Sequence, residues 1–116
     1  MKLNNLPEQA IQQLAKDYWD NIIVASNQKD YALFARDFSE KMKREAIKEN
    51  IEEQWRQQPL LCKLLPEPDF MGLIKSQNNI RVLWRQKFKS ETDQSLGQLT
   101  LIDENGEIKI DGSTLS

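Results

Sequence analysis

Histidine is absent from this chain, so any chemistry falls to carboxylates, lysines, arginines, two tyrosines and one thiol. That removes the commonest general acid/base and the commonest transition-metal ligand together. A serine or cysteine nucleophile activated by histidine is excluded, as is a His-ligated zinc site. Cys62, the one thiol, has only Lys63 beside it to favour a thiolate, which reads as a structural, partly buried cysteine. Four residues remain as candidates for a binding site. Tyr18 on a predicted helix, with Trp84 and Gln86 on one face of a predicted strand, can line a small apolar pocket with a few polar anchors. The commoner outcome for such a pattern is a core tryptophan, with Gln86 and the Tyr18 hydroxyl finding partners near its rim. Asp69, just ahead of Phe70, is the carboxylate best placed to point into the mouth of such a pocket; solvation at a strand start is its ordinary role.

Two charged stretches invite other readings. Lys75, Arg81, Arg85, Lys87 and Lys89 form a basic run without an acid, beside Trp84 and Phe88. Cations interleaved with aromatics suit single-stranded nucleic acid. Here, however, alternation puts the aromatics on the opposite strand face from the cations, so the two cannot grip one base. The following residues, 90–116, carry six acids (Glu91, Asp93, Asp103, Glu104, Glu107 and Asp111) against Lys109. Cross-strand pairing on an exposed face, with Glu107 and Asp103 as partners, accounts for both runs, and nucleic acid is not expected. Glu49, Glu52 and Glu53 lie on neighbouring helical turns that converge too few oxygens for a cation, so no metal is expected and no cofactor is implied.

The elements that must position these residues change period at Pro66-Glu67-Pro68. Before it, apolar residues recur every three or four positions. After it they alternate. A first helix is predicted from about Pro7 to Ser26, capped by Asn5 with Glu8 three residues on. Ile11, Leu14, Tyr18, Ile22 and Ala25 form its stripe, widened by Trp19 and Ile23. Asp30 caps a short second helix with Tyr31, Phe34, Ala35 and Phe38 on one face, interrupted at Ser39. A third helix is predicted over Arg44 to Gln58, with Ile47, Ile51 and Trp55 four apart and Pro59 as its stop. From Pro59 to Pro68 a buried loop and a short edge strand are equally open.

Strands follow at Phe70 to Gln77, Ile80 to Lys89, about Leu96 to Ile102, and Glu107 to Leu115. Asn78-Asn79 and Asn105-Gly106 make the tight turns, and the polar stretch Ser90 to Ser95 links the middle pair. The predicted inward set is Ile74, Ile80, Val82, Trp84, Phe88, Leu99, Leu101, Ile108 and Ile110. Leu73, Leu83 and Ile102 are left on otherwise polar faces. One α+β domain over 1–116 is expected, with about three N-terminal helices packed on a curved four- to five-stranded antiparallel sheet. Hydrophobic and charged fractions of 39% and 29% suit a globular chain. A net charge of −2 gives no global field toward nucleic acid or an anionic membrane. The N-terminus carries no signal-peptide run and a lone cysteine suits a reducing compartment, so a cytoplasmic setting is expected.

Leu96-Gly97-Gln98-Leu99-Thr100-Leu101, Asn105-Gly106 and Ile108-Lys109-Ile110-Asp111-Gly112, following helices and the long strand Ile80-Arg81-Val82-Leu83-Trp84-Arg85, resemble the cystatin-like α+β cone of the nuclear-transport-factor-2-like superfamily. Asp37-Phe38-Ser39 is similar to the early segment that turns toward the cone mouth. The resemblance covers most of the chain. It implies a cone able to hold a ligand, and sheet-to-sheet dimers. Enzymes of that group place a carboxylate base inside the cone, and of their donors only Tyr18 carries over. The inward strand positions here are apolar apart from Gln86. The expectation is therefore a non-catalytic module, dimeric through its sheet by way of Leu83, Leu73 and Ile102, binding a small apolar ligand or a protein partner. The alternative is a histidine-free isomerase or lyase using Tyr18 with Asp69, Asp37 or Asp17.

Overall fold

The computed structural model describes residues 3–89 and 92–116. Its helices, α1 (Glu8–Gln28), α2 (Tyr31–Phe34), α3 (Glu40–Glu45) and α4 (Lys48–Gln57), precede four strands: β1 (Asp69–Lys75), β2 (Ile80–Lys87), β3 (Gln94–Glu104) and β4 (Glu107–Leu115). Single-turn 3₁₀ segments stand at Leu3–Asn5 and Pro59–Cys62. The strands form one antiparallel meander in the order β1-β2-β3-β4. The helices pack on this sheet, an α+β arrangement compatible with a cone-like fold. The link between β2 and β3, read as starting at Ser90, has Ser90 and Glu91 outside the described residues.

Helix α1 begins two residues later than its capping pattern implies. Asn5 sits in the 3₁₀ turn, and Pro7 occupies the cap in an extended conformation with no side-chain cap. At the other end, Lys29 takes a left-handed conformation and its N–H returns to the carbonyls of Ala25 and Ser26, closing the helix two residues beyond the predicted end. The buried set is Ile11, Ala15, Trp19, Ile22, Ile23, Ala25 and Ser26, which keeps Ile11, Trp19, Ile22, Ile23 and Ala25 of the predicted stripe. Leu14 and Tyr18 are half-buried at its margin. Burial of an indole outweighs that of a leucine or a phenol, so Trp19 takes the centre.

Asp30 caps α2 as expected, accepting from the Leu33 N–H at 3.1 Å. The single third helix is instead two. Ser39 caps α3, accepting from Met42 N–H, and the chain leaves helical geometry at Ala46 and Ile47 before α4. The Ala46 carbonyl is taken by the Tyr31 hydroxyl at 2.6 Å, which ties the break to α2. Pro59 does end α4. Beyond the 3₁₀ turn, Leu64 bridges Phe88 and the Leu65 N–H donates to Lys87, so the ambiguous segment ends as a brief strand-like contact on β2.

In the sheet, Ile80, Val82, Trp84, Gln86, Leu99, Leu101 and Ile110 are buried beneath the helices. Arg81, Leu83, Arg85 and Lys87 alternate onto the outer face. One expectation reverses on β1. A bulge between Phe70 and Gly72 inserts Met71, so Leu73 pairs with Val82 on the core side while Ile74 pairs with Arg81 outside, 43% exposed. An extra residue resets the period of two, which no alternation pattern can anticipate. Asn105 and Gly106, both at positive φ, make the β3–β4 turn as read. Phe38 bridges Ile110, and Ser39 N–H donates to the Ile110 carbonyl at 2.8 Å, covering part of the β4 edge.

Candidate functional site

Between α1, α2, α4, the Pro59–Cys62 turn and the end of β4 lies a cavity of about 280 Å³. Each wall follows from local sequence. The α1 stripe delivers Trp19 and Ile22, α2 delivers Phe34, and the four-residue repeat of α4 delivers Ile51 and Trp55. Phe34 and Trp55 meet edge-to-face with ring centroids 5.5 Å apart. Polar groups come from the amides of Gln54 and Gln58 and from Ser26 and Ser113. No lining residue is ionisable. An ion entering this cavity loses water without gaining a counter-charge, whereas a neutral apolar body gains aromatic contact and finds amides for orientation.

The four residues singled out from the sequence do not meet in this cavity. Gln86 is fully buried and fully occupied. Its carbonyl oxygen accepts from Trp19 Nε1–H at 2.8 Å, and its amide donates to the carbonyls of Leu65 and Lys87 at 2.8 and 2.9 Å. It is the polar pin joining helix, sheet and loop. Trp84 is buried beside it, stacked on Trp19 at 6.3 Å, and lines a different cleft near the start of α1. The Tyr18 hydroxyl donates to the Ile108 carbonyl at 2.6 Å. Burial, with Asp37 adding, raises its pKa above the ordinary phenol value while Lys109 and Arg36 oppose.

Asp69 corrects the reading furthest. It pairs in register with Arg85 on the outer face, with its carboxylate 3.7 Å from Arg85 and 3.6 Å from Lys87. It therefore lies on the outer face of the sheet rather than toward the helices, because one residue's position in the alternation decides the face. It also supplies the counter-charge expected from Glu107 and Asp103. Those two are engaged elsewhere: Glu107, at the start of β4, pairs with Lys109 at 3.1 Å, and Asp103, on β3 beyond its pairing with β2, accepts from the Leu3 N–H at 2.7 Å. No aromatic side chain stands among the outward β2 residues that carry the cations.

The other carboxylates named as possible bases are engaged elsewhere. Asp37 is held by Arg36 at 2.9 Å, and exposed Asp17 accepts from Gln13 at 3.0 Å. On α4, Glu53 is bound by Arg56 and Gln57, and the Arg56 guanidinium lowers its pKa, as a solvated helix face implies. Cys62 is partly buried and its thiol pKa is pushed up by burial, against a weaker pull from Lys29. Among the described residues no cluster of three or more acidic or cysteine side chains converges as a metal site would require.

Sequence reasoning missed Phe34, Trp55, Gln54 and Gln58 as partners in one cavity. The signal was faint but present: Gln54 in the helix and Gln58 at its C-cap, four apart and flanking Trp55, which puts them on one side with the indole. Comparison with protein-family models, with curated proteins and with solved structures returned no match.

Proposed function

We propose that this domain is a non-catalytic binding module that takes up a small, uncharged, largely apolar ligand in the aromatic cavity beneath α4. The observation that carries the proposal is the lining: Trp19, Phe34 and Trp55 around a space of about 280 Å³, with amide and hydroxyl groups but no ionisable side chain. That composition matches the usual form of a small-molecule site, with a volume just under the usual range of ~300–1,000 Å³. The same lining favours binding over the isomerase or lyase alternative, which needs a carboxylate in contact with substrate. The order of helices and strands supports, as part of this reading, the resemblance to the cystatin-like cone of the nuclear-transport-factor-2-like superfamily. A cytoplasmic setting is proposed with it, on the single unpaired thiol.

The test is titration with the neutral dye N-phenyl-1-naphthylamine, whose emission rises in apolar surroundings. Saturable binding to the native chain, reduced at least tenfold by Trp55→Ala with the fold retained by circular dichroism, is the expected result. Equal binding by both proteins, or none by either, rejects the cavity as the site.

A second reading concerns the outer face of the sheet. Ile74 and Leu96 are 43% and 41% exposed there, with Leu83 and Ile102 half-buried beside them. The proposal is a homodimer that covers these aliphatics, with Ile74 replacing Leu73 as the β1 contribution. Light scattering at micromolar concentration distinguishes it: a strict monomer rejects the dimer and leaves the cavity proposal standing.

A further inference from the structure

A second concavity, independent of the cavity beneath α4, opens between the first turns of α1 and the start of β1. Its volume is about 330 Å³, with Trp84, Phe70 and Pro68 on the sheet side and Gln9, Gln12 and Lys16 among the α1 residues. Trp84 is 2% exposed, and its indole N–H has no hydrogen-bond partner among the described residues. The contrast with Trp19 is direct, since that indole donates to Gln86 at 2.8 Å. A buried donor without an acceptor is unfavourable, so the site calls for an acceptor that the described residues do not supply.

We propose that this cleft binds a small neutral ligand with a flat apolar body, through a carbonyl oxygen that accepts from the Trp84 indole N–H. The flat body is matched by the faces of Phe70 and Pro68. Phe70 is 38% exposed and meets the indole edge-to-face at 5.7 Å; on this proposal its ring moves aside to admit the ligand to the indole N–H. The glutamine amides at the α1 rim complete the polar contacts. Neutrality follows from the surrounding charge. Lys16 is the one cation in the lining among the described residues, and its ammonium is already held by Asp20 at 2.7 Å and approached by Glu67 at 3.8 Å. Asp17 adds a further negative charge close enough to act on Lys16. A carboxylate ligand meets net repulsion, whereas a carbonyl does not.

Nitrogen–proton correlation spectra of the ¹⁵N-labelled chain test this, because the three tryptophans give three indole signals. Trp84→Phe removes one and so assigns it. Titration with benzamide moves the Trp84 indole proton downfield to saturation while that of Trp19 stays in place, and benzoate binds at least fivefold more weakly. Trp84→Phe keeps the ring, loses the donor, and weakens benzamide about fivefold, the share of one net hydrogen bond. If Trp84→Phe does not fold, the native titration decides alone, each indole signal being assigned through its ring contacts. A Trp84 proton unmoved at the solubility limit of benzamide, benzoate binding equal to benzamide, or undiminished affinity in a folded Trp84→Phe overturns the proposal.

Discussion

The indole of Trp19 occupies the space that a side chain at position 97 would need: a Cβ built on Gly97 stands 2.7 Å from Trp19 Cζ2 and 2.9 Å from Cη2. The glycine thus lets the central helix lie directly on β3, and the ring that enters there also pins Gln86 and walls the cavity. Gly97→Ala is expected to destabilise the fold by about 1–3 kcal/mol, since neither a packed ring nor a strand backbone moves freely. Gly112→Ala, whose Cβ would meet the Thr100 side chain at 3.2 Å, is expected to cost less. Urea melts of the two variants check the order.

Removal of the Gln86 amide leaves the Trp19 N–H and the carbonyls of Leu65 and Lys87 without their partner. Gln86→Leu is expected to cost roughly 2–4 kcal/mol, mostly from stranded buried groups. The Trp19 indole proton should also shift upfield. Stability within ~0.5 kcal/mol of native in a denaturant melt contradicts the role assigned to this side chain.

The two faces of β2 should respond unequally. Trp84→Ala opens a cavity in the core and is expected to cost about 3–5 kcal/mol. Arg85→Ala loses a half-exposed contact to Asp69 and should cost well under ~1 kcal/mol. Equal losses in melts mean that the faces are reversed.

Stability should be level from about pH 6 to 8, because no histidine titrates there. The decline begins with the Cys62 thiol, which burial raises above its ordinary value of 9.0. At higher pH it should fall further. Tyr18 has a folded pKa raised above its ordinary value of 10.0, so the unfolded chain releases this proton first. With fewer protons bound in the unfolded state, the Tyr18 contribution is complete below about pH 10 and declines as pH rises through the folded value. Lys16 and Lys109, each raised above 10.5 by a carboxylate hydrogen bond, act with the same sign. Tyr18→Phe should be less stable at neutral pH yet lose less between neutral and pH 11. Melts across that range check the slope.

The Cys62 thiol, raised by burial, should react with a disulfide reagent at pH 7.5 several-fold more slowly than free cysteine. Unfolding in urea should bring the rate to that of an exposed thiol. A native-state rate equal to or above that of free cysteine contradicts the placement.

The sequence by itself determined the division into helices and an antiparallel meander, because periods of 3.6 and 2 register which face of each element is buried. It also determined the β3–β4 turn at Asn105-Gly106, the Asp30 cap and the inward run Ile80, Val82, Trp84 and Gln86. Each of these is local, settled by residues within a few positions of one another. The break at Ala46 was illegible because Tyr31, fifteen residues earlier, takes its carbonyl. The β1 bulge was illegible because its partner strand sets the count, so Leu73 and Ile74 exchanged faces. The position of Asp69 ahead of Phe70 does not tell which face it takes; the register opposite Arg85 turns it outward. The cavity itself belonged wholly to the tertiary structure. Phe34, Trp55 and Trp19 are each apolar members of separate helical faces, and only the angles at which those helices cross the sheet decide that a space remains between them.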